Sequence, residues 1–268
     1  MQIDLTFQQT WLYRVNPSVK LIVSLLLFVQ VLLVHHIDFM INLCVVTLLL
    51  LAFFTGHPWR RVLLFSIPFV IIFISTATSM IFFGKGDTTW FRWGLVHITE
   101  ESFYRGLHLG FRALSFASVG LLFALTTRPV FLFYSLMKQL KLPPKYAYSF
   151  MAAIRLFPIM LEEFQTLRYA LKVRGVREER GIRGFYQKLK FFSIPLLAQS
   201  IRRAQRMAVA MEAKRFAMTQ KRTYFYKLGF SINDFIFVLY LLVGSLLAYW
   251  ISHQWPYVDI VDVRYYND

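Results

Sequence analysis

Cysteine is almost absent from this chain: its 268 residues include a single one, Cys44. A disulfide framework and a paired-cysteine zinc site are therefore excluded. Cys44 lies within an apolar run, where we expect a small, buried hydrophobic side chain. The sequence also lacks a phosphate-binding loop, a His-Glu zinc helix and a nucleophile with an identifiable base. We therefore expect no catalytic residues, no metal site and no cofactor.

Acidic residues are also scarce, with 14 Asp and Glu against 30 Lys and Arg. Residues 168–227 hold sixteen of these cations and three acids, which is +13 of the formal net charge of +16. This basic block lies between apolar runs and not in a basic soluble module, so its distribution argues against nucleic-acid binding. Cations that flank membrane spans stay in the cytoplasm, and we therefore expect the block to be cytoplasmic.

Apolar residues make up 57% of the chain, and 28 residues are Phe, a composition typical of membrane proteins that span several times. We predict an all-α polytopic membrane protein with about five transmembrane helices and long amphipathic cytoplasmic coupling helices. The first span is short and is expected to begin near Pro17. The predicted spans cover residues 21–34, 39–54, 62–83, 107–127 and 235–251. No cleaved signal peptide is expected.

Three regions follow from these spans. Residues 1–127 are expected to form a membrane region with four spans, in which 84–104 is an extracellular loop. Residues 128–228 are expected to be cytoplasmic, and 229–268 to hold the last span and an extracellular tail with Asp259, Asp262 and Asp268. We expect a multi-pass protein of the cell membrane. The distribution of charge and the odd number of spans agree on an N-terminus inside and a C-terminus outside.

The cytoplasmic region is predicted to contain helices over 130–140, 145–173 and 186–218. The two longer helices resemble each other, because each has an early Pro and a basic end, with Arg174 in one and Lys214-Arg215 in the other. Such ends suit a partner that has two similar pockets. Taken alone, the pattern is better explained by the helix dipole, which favours cations near any helix C-terminus by about 0.3–1 kcal/mol.

Small residues spaced four apart suggest that these two helices cross, because such residues allow close backbone approach. They are Ser149 and Ala153 in one helix and Ser200, Ala204 and Ala208 in the other. A crossing there would bring Glu162 and Glu163 towards Arg202, Arg203 and Arg206. These Arg side chains are equally able to reach anionic lipid.

Two polar residues, His108 and Arg112, lie in the fourth predicted span. A cation inside a membrane span suggests a functional site. The alternatives are snorkelling to the lipid headgroups and an internal hydrogen bond, and we favour these.

Several segments, taken in order, resemble the transmembrane T component of energy-coupling factor transporters, which import vitamins and micronutrients in prokaryotes and include relatives that serve cobalt uptake. The matching segments are residues 12–21, 112–129, Leu142-Pro143, 155–158, Glu162-Glu163, 173–175 and 210–216. Each segment alone is weak, but the ordered set extends over nearly the whole chain.

The resemblance implies that the ends of two coupling helices dock into two ABC-type ATPase subunits, through an Ala-Arg-Gly signature in each. The residues that fall on these signatures are Val173, Arg174, Gly175, Ala213, Lys214 and Arg215. The second signature departs from the pattern, since Lys214 takes the place of Arg and Arg215 that of Gly. Which of the two cations makes the second contact is therefore open.

The resemblance also implies a small substrate-binding membrane subunit that rests on the apolar faces of the coupling helices and selects the substrate. The residues expected to contact it are Leu156, Phe157, Met160, Phe191, Phe192, Leu196 and Leu197. Membrane lipid is a further expected partner, and nucleic acid is not. The chain itself is expected to be non-catalytic. The alternative functions are a self-contained secondary transporter and a conventional ABC permease.

Overall fold

The computed structural model describes residues 10–84, 86, 88–93, 96–175, 181–216, 224, 226 and 229–258. Helices account for nearly all of its regular structure, which confirms the all-α polytopic fold class. The helices are α1 (Trp11–Arg14), α2 (Pro17–Leu33), α3 (Ile37–Phe54), α4 (Trp59–Phe83), α5 (Glu100–Thr126), α6 (Pro129–Gln139), α7 (Pro144–Val173), α8 (Ile182–Ala213) and α9 (Ile232–Gln254). One antiparallel hairpin joins α4 to α5 and consists of β1 (Thr89–Trp93) and β2 (Val96–Thr99).

Four helices, α3, α4, α5 and α9, are long and apolar enough to cross a membrane. The first predicted span, residues 21–34, corresponds to α2, which begins at Pro17 as expected and has 17 residues. At 1.5 Å per residue it is about 25 Å long, shorter than a typical hydrocarbon core of about 30 Å. That α2 spans the bilayer therefore stays a prediction.

The fourth span begins earlier than the sequence predicted, because α5 starts at Glu100 and not at residue 107. The hydroxyl of Thr99 accepts a hydrogen bond from the Ser102 N–H at 3.2 Å and so caps the helix. Glu100 and Glu101 occupy the first turn, where negative charge is favoured by the helix dipole. Part of the predicted loop 84–104 is thus hairpin and helix.

The chain divides into two units, one of Met1–Arg128 with Leu228–Asp268 and one of Pro129–Lys227. In the first unit, α2, α3 and α4 all pack against α5, and α9 packs against α3. Buried residues of this unit form its largest core cluster: Leu12, Val15, Leu27, Leu50, Leu51, Val62, Val119, Leu122, Phe237 and Leu241. Cys44 is 1% exposed, which confirms it as a buried side chain.

Close approach of α4 and α5 depends on glycine. A Cβ atom added at Gly106 would lie 2.7 Å from Cγ1 of Ile81 and 2.8 Å from the carbonyl oxygen of Ala77. Gly110, one turn later, faces the Phe73 ring in the same way, at 2.9 Å. Two glycines spaced four apart are a common means of bringing membrane helices together.

His108 and Arg112 lie well inside α5, eight and twelve residues from its start at Glu100. The Arg112 guanidinium donates to the carbonyl oxygen of Val34 at 2.7 Å, and the His108 ring stacks on His35 with centroids 6.5 Å apart. The internal hydrogen bond proposed for Arg112 is therefore confirmed. Both side chains fix the turn between α2 and α3 against α5.

In the second unit, α6 packs on α7 and α7 on α8. The helices α7 and α8 meet through an ion pair between Glu163 and Arg203 and through the rings of Phe164 and Phe192, whose centroids are 4.9 Å apart. The predicted crossing at small residues is wrong. Four of the five small residues are exposed: Ser149, Ala153, Ala204 and Ala208.

The predicted third cytoplasmic helix is also shifted. It starts at Ile182, four residues before position 186, and ends at Ala213. Its predicted end at Met218 and the acidic tail with Asp259, Asp262 and Asp268 lie outside the described residues.

Candidate functional site

The C-terminal end of α7 carries the first predicted ATPase contact. Arg174 is the C-cap, and its N–H donates to the carbonyl of Ala170 at 3.1 Å. Gly175 follows with φ +67°, and its N–H donates to Lys172 at 3.2 Å. A residue in the left-handed region just past a helix is a frequent stop signal, and glycine favours it because it has no Cβ. The chain therefore turns sharply and leaves Arg174 at the very end of the helix.

The C-terminal end of α8 has the same backbone arrangement. Lys214 is the C-cap, and Arg215 has φ +51°. The N–H of Arg215 donates to Glu212 at 2.8 Å, and that of Phe216 donates to Met211 at 3.0 Å. This pair of hydrogen bonds is the Schellman motif.

The two ends can be compared residue by residue. Lys214 occupies the position of Arg174, and Arg215 occupies the left-handed position of Gly175. Arg215 is thus a non-glycine residue in a conformation that costs an L-residue roughly 1 kcal/mol or more. Val173 and Ala213 are the last helical residues of the two ends, and the Val173 side chain is 88% exposed.

The cations at both ends are exposed. Among the residues that the structure describes, no acidic side chain pairs with Arg174, Lys214 or Arg215. Each end therefore presents an exposed cation at the point where the helix stops. A carboxylate-lined groove would bind such an end, by charge and by hydrogen bonding to guanidinium or ammonium.

The end of α8 is attached to aromatic residues of α6 and α7. The Phe216 ring contacts Tyr148 edge to face, with centroids 5.2 Å apart. Tyr134 contacts both Tyr148 and Tyr226, and Phe131 also contacts Tyr226. Burial, together with the neighbouring Tyr148 and Tyr226 hydroxyls, raises the pKa of Tyr134. This cluster could not be predicted from the sequence, because its members are far apart along the chain.

The residues predicted to contact a substrate-binding subunit differ in exposure. Phe157, Phe191 and Leu197 are 63%, 48% and 59% exposed, whereas the others are half-buried: Leu156, Met160, Phe192 and Leu196. Phe192 packs on Phe164 inside the unit. Only part of the predicted set therefore forms an open surface.

Neighbouring residues complete the open apolar surface. Phe150 and Leu161 lie on the face of α7 that carries Phe157, and Ile194 and Ile201 lie on the face of α8 that carries Leu197; all are 49–59% exposed. Spacing of three, four and seven residues along a helix indicated these faces and would have found the four missed residues.

Three arginines of α8 have different surroundings. Arg203 pairs with Glu163, whereas Arg202 and Arg206 are exposed. Of the two roles predicted for this group, helix contact applies to Arg203, and lipid contact stays a prediction for the other two.

Among the described residues, no group of three or more His, Cys, Asp or Glu side chains could hold a metal ion. The fold and these surfaces define a multi-pass membrane protein with a separate unit of long helices, whose ends are exposed and cationic. The model of the CbiQ family, described as a cobalt transport protein, matches residues 8–225.

Several curated relatives are named energy-coupling factor transporter transmembrane protein EcfT. The relative from Streptococcus equi subsp. equi is 25% identical over 248 residues, which cover 89% of this chain and 91% of the relative. The relative from Lacticaseibacillus paracasei is 26% identical, with 89% and 94% covered, and that from Clostridium kluyveri is 28% identical, with 87% and 90% covered. The chain belongs to the family of transmembrane T components of energy-coupling factor transporters.

Proposed function

We propose that this chain couples two cytoplasmic ABC-type ATPase subunits to a small substrate-binding membrane subunit, and so drives vitamin or micronutrient uptake. The observation that carries the proposal is the shared geometry of the two helix ends. Each ends in a C-cap cation followed by a left-handed residue, and each cation is exposed. Two equivalent ends suit two equivalent ATPases.

The equivalence of the two backbones supports one choice of cation for the second contact. Arg174 and Lys214 extend from the same position of the same C-terminal turn, so both meet an identical groove in the same way. Arg215 extends from the next position, which corresponds to Gly175, a residue without a side chain. We therefore propose Arg174 and Lys214 as the two ATPase contacts, with Val173, Gly175, Ala213 and Arg215 forming the surrounding surface.

The substrate-binding subunit is proposed to bind the exposed apolar surface of α7 and α8. Phe157, Phe191 and Leu197 are exposed and are proposed to contact it directly, and the half-buried Leu156, Met160, Phe192 and Leu196 are proposed to complete the contact. An apolar surface of this kind in a soluble unit normally marks an interface. ATP-driven movement of the helix ends would then reach that subunit through the same two rigid helices.

The proposed topology places the N-terminus and residues 128–228 in the cytoplasm. Its support is the distribution of charge, because sixteen cations and three acids lie within residues 168–227. ATP is hydrolysed in the cytoplasm, and the helix ends lie in this segment. The T component itself is proposed to be non-catalytic.

The test is purification of the affinity-tagged chain from its native membrane, with Arg174→Glu and Lys214→Glu as variants. Each reversal turns attraction for a carboxylate into repulsion, and we expect the amount of co-purified ATPase to fall about tenfold or more. Mass spectrometry of the parental complex identifies the bound small molecule.

Matched controls are Arg168→Glu in α7 and Arg206→Glu in α8, which reverse the charge of exposed residues away from the ends. Both are expected to retain the ATPase. Equal loss in the controls would show that overall charge and not the helix ends determines binding. An unchanged yield in both end variants would refute the proposal.

A further inference from the structure

A cluster of buried polar groups lies at one end of the first unit, and we call it the polar clasp: Asn16, Lys20, Thr126 and Asp234. Lys20 is 1% exposed. Its ammonium Nζ donates to the carbonyl oxygen of Thr126 at 2.9 Å and contacts the Thr126 hydroxyl oxygen at 3.2 Å. Thr126 is the last residue of α5, where carbonyls lack partners within the helix. A lysine of α2 thus completes the end of α5.

The other half of the clasp joins α2 to α9. The N–H of Asn16 donates to Oδ1 of Asp234 at 2.6 Å, and its side-chain amide donates to the carbonyl of Gly229 at 3.2 Å. The second carboxylate oxygen of Asp234 accepts the N–H of Ser231 at 2.7 Å, which completes the capping box of α9.

Charge connects the two halves. The Lys20 ammonium and the Asp234 carboxylate are opposite charges, 1% and 5% exposed, and both bind through the segment from Asn16 to Lys20. Buried charges of this kind contribute little net stability compared with well-packed apolar residues, because both ions lose their hydration. What they supply is a fixed arrangement, since each buried charge is satisfied only by its own partners.

The position of the clasp in the chain gives this arrangement a role. The chain passes into the second unit at Arg128–Pro129 and returns at Lys227–Leu228. Thr126 lies just before the first connection, and Gly229 lies just after the second. One short segment, Asn16 to Lys20, therefore holds both connections at the first unit. Arg128 adds a cation–π contact, since its guanidinium carbon lies 4.6 Å from the centre of the Tyr13 ring.

We propose that the polar clasp is a positioning device for the two connections between the units, Arg128–Pro129 and Lys227–Leu228. It makes them move together, so that a displacement of the second unit is transmitted to α2, α5 and α9 at the same time. The inference rests on the proposed coupling function. Lys20 and Asp234 are its positioning residues. They act through helix ends and do not contact ATPase or substrate.

The test uses spin labels at two exposed sites beside the connections, Ala124→Cys and Phe230→Cys, in a Cys44→Ala background. Electron paramagnetic resonance measures the distribution of distances between the labels, in the isolated chain and in the purified complex with and without ATP. The variants are Lys20→Met, which loses both contacts with Thr126, and Thr126→Val, which loses only the hydroxyl contact.

The matched control is Thr47→Ala. It removes a buried hydrogen bond of 2.8 Å from the Ser118 hydroxyl, which joins α3 to α5 away from the connections. A second measurement is uptake per ATP hydrolysed in proteoliposomes, with the small molecule identified in the parental complex.

We expect one narrow distribution for the parental chain and the control in every state. Lys20→Met should broaden it, most strongly with ATP, and Thr126→Val should broaden it less. Uptake per ATP should fall about tenfold in Lys20→Met, while the ATPase still co-purifies, and it should stay near the parental value in Thr47→Ala.

The proposed role of the clasp is overturned if Lys20→Met leaves the distribution of label distances unchanged. It is also overturned if Lys20→Met broadens that distribution while uptake per ATP stays at the parental value, or if Thr47→Ala has an equal effect. Failure of the parental chain to retain an ATPase overturns the proposed function instead, and the distribution in the isolated chain still decides whether the clasp exists.

Discussion

Replacing Arg215 by glycine separates the two cations at the end of α8. Arg215 has φ +51°, a left-handed conformation that disfavours any side chain with a Cβ by roughly 1 kcal/mol or more. Glycine adopts it without this penalty. We therefore expect Arg215→Gly to stabilise the helix end by about 1 kcal/mol, which corresponds to about a fivefold change in the local opening equilibrium.

Hydrogen exchange of the Phe216 amide measures this change directly, because that N–H closes the motif by donating to Met211 at 3.0 Å. Its exchange should slow about fivefold in Arg215→Gly. The control is Arg215→Ala, which removes the same charge but keeps a Cβ, and it should not slow exchange. Equal protection in both variants would refute the assignment of backbone strain to Arg215.

Binding of the ATPase then distinguishes the cations. If Lys214 makes the contact, Arg215→Gly retains the ATPase at or above the parental level, and Lys214→Ala loses it. Loss of binding in Arg215→Gly and Arg215→Ala, with normal binding in Lys214→Ala, would show that Arg215 is the contact and that the backbone equivalence with Arg174 misleads.

Three further changes test the packing of the two units. Gly106→Ala should destabilise the protein by about 1–3 kcal/mol in thermal unfolding, because the added methyl meets α4, whereas Gly120→Ala on the same helix meets nothing within 4 Å and should be tolerated. A double-mutant cycle on Glu163 and Arg203 should give a coupling of about 0.2–1 kcal/mol, since the pair is partly exposed, and a coupling of zero would remove it from the α7–α8 contact. Phe216→Ala should weaken the α8 end by about 0.5–1.5 kcal/mol, seen as faster local hydrogen exchange, and unchanged exchange would contradict the aromatic attachment.

The membrane helices were accessible from the sequence because their apolar composition is a local property. The boundaries of these helices were harder to predict from the sequence, since helix caps and the β-hairpin determine where the helices begin. The start of α5 at Glu100 depends on the Thr99 hydroxyl, and the polar residues near it hid about two turns of helix from the sequence analysis. The start of α8 at Ile182 follows directly on Gly181, whose φ is +90°.

Contacts between residues that are far apart along the chain were the hardest to predict from the sequence. The sequence placed Lys20 before the first apolar run, and only the fold shows it buried against Thr126. Ser231 and Asp234 have the spacing of a capping box, a signal that predicts the start of α9 but not the contact with Asn16. The small-residue spacing failed because exposed small residues satisfy the same pattern as packed ones.

The two helix ends are equivalent in backbone but not in attachment, and this difference bears on how force would pass through the second unit. The end of α8 is tied by Phe216 to Tyr148, near the start of α7. A displacement of that end therefore acts directly on the beginning of α7. Among the described residues, the end of α7 is linked to α8 further back along the helix, through the Glu163–Arg203 ion pair and the contact between the Phe164 and Phe192 rings, so its displacement acts on the body of α8 and not on its end. On the proposed function, each ATPase thus moves the helix that carries the other contact. Simultaneous movement of both ends would shift α7 and α8 as a pair, whereas movement of one end alone would strain the contact between them.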